Sequence, residues 1–187
     1  MIPPLFRRSP KHTIAALYGA IVAQSPLPRF YQDYGVADTV LGRFDMIVLH
    51  VVLLQRRLRG GDAASQGLAQ GVFDAFCLDI DHNLREMGIS DQGVPRQMRR
   101  VGEAFYGRAQ AYDAALAASD ETALPDALAR NVFAEAAEPA IAAARLAAYV
   151  RQAADALDRQ DMAAFARGEA VFPEPEPVRA TAESSSE

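Results

Sequence analysis

Residues 46–54 read MIVLHVVLL and lie within a stretch, 38–59, that is apolar on nearly every side. A helix of that kind has no polar face to give to water, so other elements must surround it. The run is too short for a bilayer, which takes ~20 residues. It is also broken by His50 and bounded by Asp45 and Arg56. The stretch therefore predicts a buried central helix, with the remaining chain packed around it.

Helix punctuation supplies the surrounding elements. Ser9 followed by Pro10 marks a helix start, a cap with proline at the first helical position. That helix runs to about Gln24, where Pro26 and Pro28 interrupt the chain. A short helix over 27–34 ends at Gly35. Asp38 caps the central helix, which stops at Gly60 and Gly61. Ser65 caps the next, which stops at Gly88. Pro95 opens a helix to about Ala118, and Ser119 caps one to about Asn131. Residues 138–159 are rich in alanine, the strongest helix former, and 161–167 form a last short helix. No alternating strand pattern and no repeat is present. The expected fold is all-α, a single-domain bundle of about seven or eight helices. Residues 1–9 read as an N-terminal extension and 10–172 as the helical domain. Residues 173–187, PEPEPVRATAESSSE, read as a disordered acidic, proline- and serine-rich tail with nothing to bury.

Composition narrows the function. Half of the 187 residues are hydrophobic and 23% are charged, as in ordinary soluble domains. A net charge of -5 gives no global basic footprint, so no DNA partner is expected. The single cysteine, Cys77, leaves no internal disulfide and suits a reducing compartment. The start, MIPPLFRR, has no apolar core of signal-peptide length. The expected location is the cytoplasm, with a peripheral contact at the inner face of the cytoplasmic membrane as an option.

The densest polar stretch is DIDHNLREMG, residues 79–88. Asp79, Asp81 and Asn83 match the first ligand positions of a calcium loop, but the sixth position is Leu84, where the turn needs glycine. The twelfth is Ser90, where a bidentate glutamate belongs. A helix fits better. Leu68, Val72, Phe73, Phe76, Ile80, Leu84 and Met87 then share one face, flanked by Asp79, Asn83 and Glu86. His82 and Glu86 lie one turn apart, but two ligands do not make a site, and neither metal nor cofactor is expected. On the central helix Arg43, His50 and Arg57, spaced by seven, form a basic stripe. Folding that helix back on the next brings Arg43 level with His82 to Glu86, so Arg43, His50, Asp79, Asn83 and Glu86 are expected to pair between helices. His50 is read equally as a core residue or a partner contact.

A second basic cluster, Arg96, Arg99 and Arg100, opens the Pro95 helix. Cations there oppose the helix dipole, by roughly 0.3–1 kcal/mol each when exposed. The cluster is either a solvated face or a surface for acidic segments, RNA or lipid headgroups. No catalytic residues are expected. Cys77 falls beside the apolar face, and there is no nucleophile elbow or phosphate loop.

Three blocks carry a resemblance: YGVADTVLGRFDMIVLHVVLLQRRL, FDAFCLDIDHNLREMGISD and VPRQMRRVGEAFYGRAQAYDAAL, in that order, with a weaker continuation through LARNVF at 128–133. Over residues 34–116 the chain resembles the ubiquinol–cytochrome c chaperone family, and the lack of a mitochondrial-type presequence suggests a bacterial form. The resemblance implies an all-α, non-enzymatic chaperone that assists assembly of ubiquinol–cytochrome c reductase by holding newly made cytochrome b or another subunit. Family members act with a small partner protein and associate with the ribosome. A chaperone of apolar helices needs an exposed apolar groove with a polar rim. Candidates for the groove are Phe73, Phe76, Met87, Met98, Phe105 and Tyr106, and for the rim Arg96, Arg99, Arg100 and Arg108. The alternative is a peripheral membrane or ribosome-associated adaptor using the cluster from Arg96 to Arg100.

Overall fold

A computed structural model of the chain describes residues 10–177. These form eight α-helices and no strand: α1 (Pro10–Gln24), α2 (Pro28–Gln32), α3 (Val40–Arg59), α4 (Ala63–Glu86), α5 (Val94–Ala117), α6 (Ala123–Asn131), α7 (Pro139–Arg159) and α8 (Met162–Ala166). The all-α bundle expected from the sequence is the architecture observed. Ser9 and the rest of 1–9 lie outside the described residues, as do 178–187.

Helix α3 is the axis. Every residue from Val48 to Gln55 is buried, and α1, α4, α5 and α7 all pack on it. Each fully buried valine or leucine contributes roughly 1.5–3 kcal/mol, so this one helix carries much of the fold's stability. Three caps differ from expectation. Ser119 does not cap α6, which starts four residues later after Thr122, whose N–H Asp120 holds at 2.8 Å. Thr39, not Asp38, caps α3 by accepting from Gly42 N at 3.1 Å, because Asp38 is engaged by Arg43 at 2.7 Å. Asp62 caps α4 and accepts from the Ser65 backbone N at 2.9 Å, so the expected cap Ser65 is the residue being capped. Gly42 is required where it stands: a Cβ there would lie 2.0 Å from the Ala37 carbonyl oxygen.

The expected polar pairing between α3 and α4 does not form. Helix α4 packs on the face of α3 that carries Phe44 and Gln55: Phe44 lies 6.1 Å from Phe76, and Gln55 Nε2 donates to Ala69 O at 3.0 Å. The Arg43–His50–Arg57 stripe lies roughly a third of a turn away. His50 and Arg57 there face α7. Arg57 donates to Leu157 O at 3.0 Å and Gln160 O at 2.8 Å, closing the C-terminus of α7 with a cation as the helix dipole favours. Arg43 holds Asp38 and lies over the Tyr31 ring. On α4, Asp79 accepts from Tyr18 of α1 at 2.8 Å, and Glu86 pairs with His82 at 3.2 Å on the surface. Asn83 is exposed.

Ordered chain also continues past the boundary expected at Phe172. Residues 173–177 lie against the bundle, with Pro175 buried and backbone carbonyls of Pro173 and Glu176 bonded to Gln24 and Tyr34.

Candidate functional site

The apolar stripe of α4 outruns the core. Ser65, Ala69, Val72 and Phe76 are buried, yet the next positions on that face, Ile80 and Leu84, are only half-buried. Met87, a turn further, is 65% exposed. The antiparallel register set by Phe44–Phe76 and Gln55–Ala69 places the first turn of α3 level with Ile80 and Leu84. There Leu41, in line with Phe44, is 61% exposed. Helix α5 repeats the pattern. Phe105 is buried and Val101 and Met98, nearer its start, are half-buried, although Val94 in the first turn is covered again, apart from the main core. One end of the α3–α4–α5 layer therefore presents an open apolar surface.

Local chain signals build this end. Gly88, at φ 82°, stops α4: its N–H bonds to Arg85 O and that of Ile89 to Leu84 O. This is a glycine C-terminal motif that L side chains disfavour. The chain then turns into α5, whose first turns carry Arg96, Arg99 and Arg100, all exposed. Of the nearby acids, Glu103, one turn further along α5, forms no ion pair among the described residues, and the others are engaged. Asp81 and Asp91 hold Arg85, and Glu86 holds His82. None of the three arginines forms an ion pair among the described residues. They are uncompensated positive charges beside exposed apolar side chains, on a chain whose net charge is negative.

The other residues expected in the groove go elsewhere. Phe76 and Phe105 are core residues, 5.6 Å apart, and offer no accessible surface. Phe73 is half-buried and packs against Phe105 with its ring tilted, at 4.8 Å. Tyr106 closes that ring cluster from outside and is 63% exposed. Arg108 is not on the rim. Its guanidinium turns inward to Asp45 at 2.8 Å and to Asn131 O at 3.3 Å, joining α5 to α3 and to the end of α6. Burial lifts the Asp45 carboxyl to about 6 against the opposing pull of Arg108. Leu41, Ile80 and Leu84 belong to the open end but were not expected there. The signal was present: the α4 stripe continues unbroken to Met87, past the level where α3 begins.

His50 is a core residue. Its Nδ1 donates to Met46 O at 2.7 Å and lies 3.3 Å from Ser25 Oγ, while its Nε2 accepts from Tyr149 OH at 2.8 Å. Tyr149 in turn accepts from Gln24 Nε2 at 3.0 Å. Complete burial holds the imidazole neutral, with its pKa down to about 4 from the usual 6.5. The ring is thereby fixed as one donor and one acceptor that join α3 to α7. His82 and Glu86, the one ligand pair the sequence offered, have no third partner. No group of three or more metal-ligating side chains occurs among the described residues.

Comparison with known proteins now places the chain. The family model described as ubiquinol–cytochrome C chaperone matches residues 32–172. Among solved structures, the crystal structure of the Cbp3 homolog from Brucella abortus is similar at a TM-score of 0.80 with 40% sequence identity. The alignment covers 93% of this chain and 97% of that one. A comparison with curated proteins gives no match. With three quarters of its length under the family model and a full-length structural relative, the chain belongs to the ubiquinol–cytochrome c chaperone family.

Proposed function

We propose that this protein is a non-enzymatic assembly chaperone that holds newly made cytochrome b for ubiquinol–cytochrome c reductase at the inner face of the cytoplasmic membrane. Family membership supports the assembly role. The observation that carries the finer reading is the open apolar end of α3–α5 bordered by uncompensated arginines. A newly made transmembrane helix offers apolar side chains and flanking charges, and a surface of exposed Leu41 and Met87 with half-buried Ile80 and Leu84 suits it. No helix among the described residues is long and apolar enough to cross a membrane. Membrane contact then falls to the surface, where each arginine near anionic lipid contributes about 1 kcal/mol.

Deleting the gene is expected to lower assembled reductase and cytochrome b while other membrane complexes stay normal. Complementation sharpens the test. A chain carrying Leu41→Asp and Met87→Asp is expected to fold within about 0.5 kcal/mol of the parent, since both side chains are exposed, yet to fail to restore the complex. Full restoration would remove the apolar end from the mechanism, and unchanged reductase in the deletion strain would sink the assembly role.

The arginines predict a separate readout. With Arg96, Arg99 and Arg100 all changed to alanine, binding to vesicles containing anionic lipid is expected to weaken by roughly tenfold or more at low salt. That difference should fade as ionic strength rises. Co-sedimentation measures it, and equal binding by both proteins at low salt would show that these charges face no membrane. A loss of ribosome binding instead, with vesicle binding intact, would favour the ribosome-adaptor reading of the same cluster.

A further inference from the structure

Residues 171–177, VFPEPEP, follow the glycine that closes α8. They run over a groove walled by the end of α1, the turn after α2, and α7. Gln160, just past the end of α7, clamps Val171 with both ends of its amide: Nε2 donates to Val171 O at 2.8 Å, and Oε1 accepts from Val171 N at 2.9 Å. Gln24 Nε2 donates to Pro173 O at 2.8 Å and Tyr34 OH to Glu176 O at 3.1 Å. Phe172 is buried with its ring edge-on to His50 at 5.1 Å, and Pro175 is buried. Glu174 and Glu176 are exposed and form no ion pair among the described residues.

These contacts have a period of three. The buried anchors are Phe172 and Pro175, and the bonded carbonyls are those of Pro173 and Glu176. A polyproline II helix has three residues per turn and no internal hydrogen bonds, so every third group returns to the same side. Aromatic rings line the groove: His50 meets Phe172 and Tyr34 meets Glu176, and Tyr149, which shares Gln24 with Pro173, lies edge-on to Tyr34 at 6.3 Å. Aromatic grooves that also donate to carbonyls are a general means of recognising preformed proline-rich segments.

We infer that this groove is a binding site for an extended proline-rich peptide, anchored by one aromatic residue and a proline three positions on, and that residues 171–177 are its tethered ligand. Recognition runs through backbone carbonyls and two apolar anchors, so the acidic side chains are free to vary. The short tether from α8 keeps the strap at a local concentration in the millimolar range, which closes the site to weaker competitors. Releasing the strap opens a docking groove for a proline-rich segment on the side of the bundle built by α1, α2 and α7, apart from the α3–α5 end.

The test uses the full chain carrying Phe172→Ala and Pro175→Ala, and a fluorescent capped peptide VFPEPEP. The peptide is expected to bind this variant saturably and on the order of tenfold or more tighter than the parent, whose own strap competes. VFPQPQP should bind equally, and VAPEAEP should not bind. A folded variant that ignores the peptide, or equal binding by variant and parent, overturns the inference. If the double variant fails to fold, Tyr34→Phe decides, because it removes only the hydroxyl that holds Glu176 O. Faster hydrogen exchange at the Val171 amide, accelerated further by added VFPEPEP as it displaces the strap, supports the site. Exchange that the added peptide leaves unaltered overturns it.

Discussion

Arg108→Met is expected to lower the stability of the fold by about 3–5 kcal/mol at pH 8, the cost of stranding a buried charge. Asp45 lies in α3 with its side chain only 4% exposed, and Arg108 supplies its one ion pair. Methionine keeps most of the arginine stem, so lost packing is a minor part of the change. What remains is a carboxylate with no counter-charge in the middle of the bundle. Two controls separate charge from shape. The penalty should shrink at pH 5, because Asp45, already lifted to about 6 and further lifted without Arg108, takes up a proton and becomes neutral. Adding Asp45→Leu to Arg108→Met should recover most of the loss, since an apolar pair in place of a buried ion pair is often neutral or stabilising. Urea unfolding at both pH values measures all three. A loss below about 1 kcal/mol, or a double variant no better than the single one, would show that the pair is dispensable.

This pair explains why Arg108 was misplaced as a rim residue. Nothing local marks it as different from Arg96, Arg99 and Arg100 on the same helix. Its partner Asp45 lies 63 positions earlier, and only the packing of α5 against α3 brings them together. By contrast, the centrality of α3 was legible because it rests on one property of a contiguous segment. The heptad stripe of Arg43, His50 and Arg57 was legible as a stripe. Which neighbour it would meet was not. That depends on the rotation of α3 about its axis, which Phe44 against Phe76 and Gln55 against Ala69 decide. The open end follows the same rule. The α4 stripe to Met87 was visible, but that it would outlast its cover depended on where α3 starts. Composition misled at residues 173–177. Alternating proline and glutamate reads as disorder, whereas a period-three spacing of anchors uses that same stiffness to lie in a groove.

Asp45→Asn is expected to make the protein acid-labile, losing about 3 kcal/mol between pH 7 and pH 4, because it uncovers a pH dependence that the parent balances. Two buried groups titrate abnormally in opposite senses. His50 is held at about 4 in the fold against 6.5 free, so between those values the unfolded chain binds more protons. Its stabilisation is complete above 6.5 and is lost as pH falls to 4. Asp45 is held at about 6 against 3.8 free, so between those values the folded chain binds more protons. Its contribution is complete below 3.8 and is lost as pH rises through 6. The windows nearly coincide, and the two slopes oppose each other in the parent. Asparagine at 45 still accepts from Arg108 but cannot titrate, which leaves the His50 slope alone. His50→Gln should show the converse, with stability rising as pH falls from 7 to 4. Asp62 and Asp120 are exposed and Asp81 half-buried, and hydrogen bonds hold all three carboxyls below the usual range, so their losses begin only beneath this window. Denaturant unfolding of the three proteins at pH 7, 5.5 and 4 reads the slopes directly. Parallel pH profiles for the parent and both variants would mean that neither buried group is linked to folding.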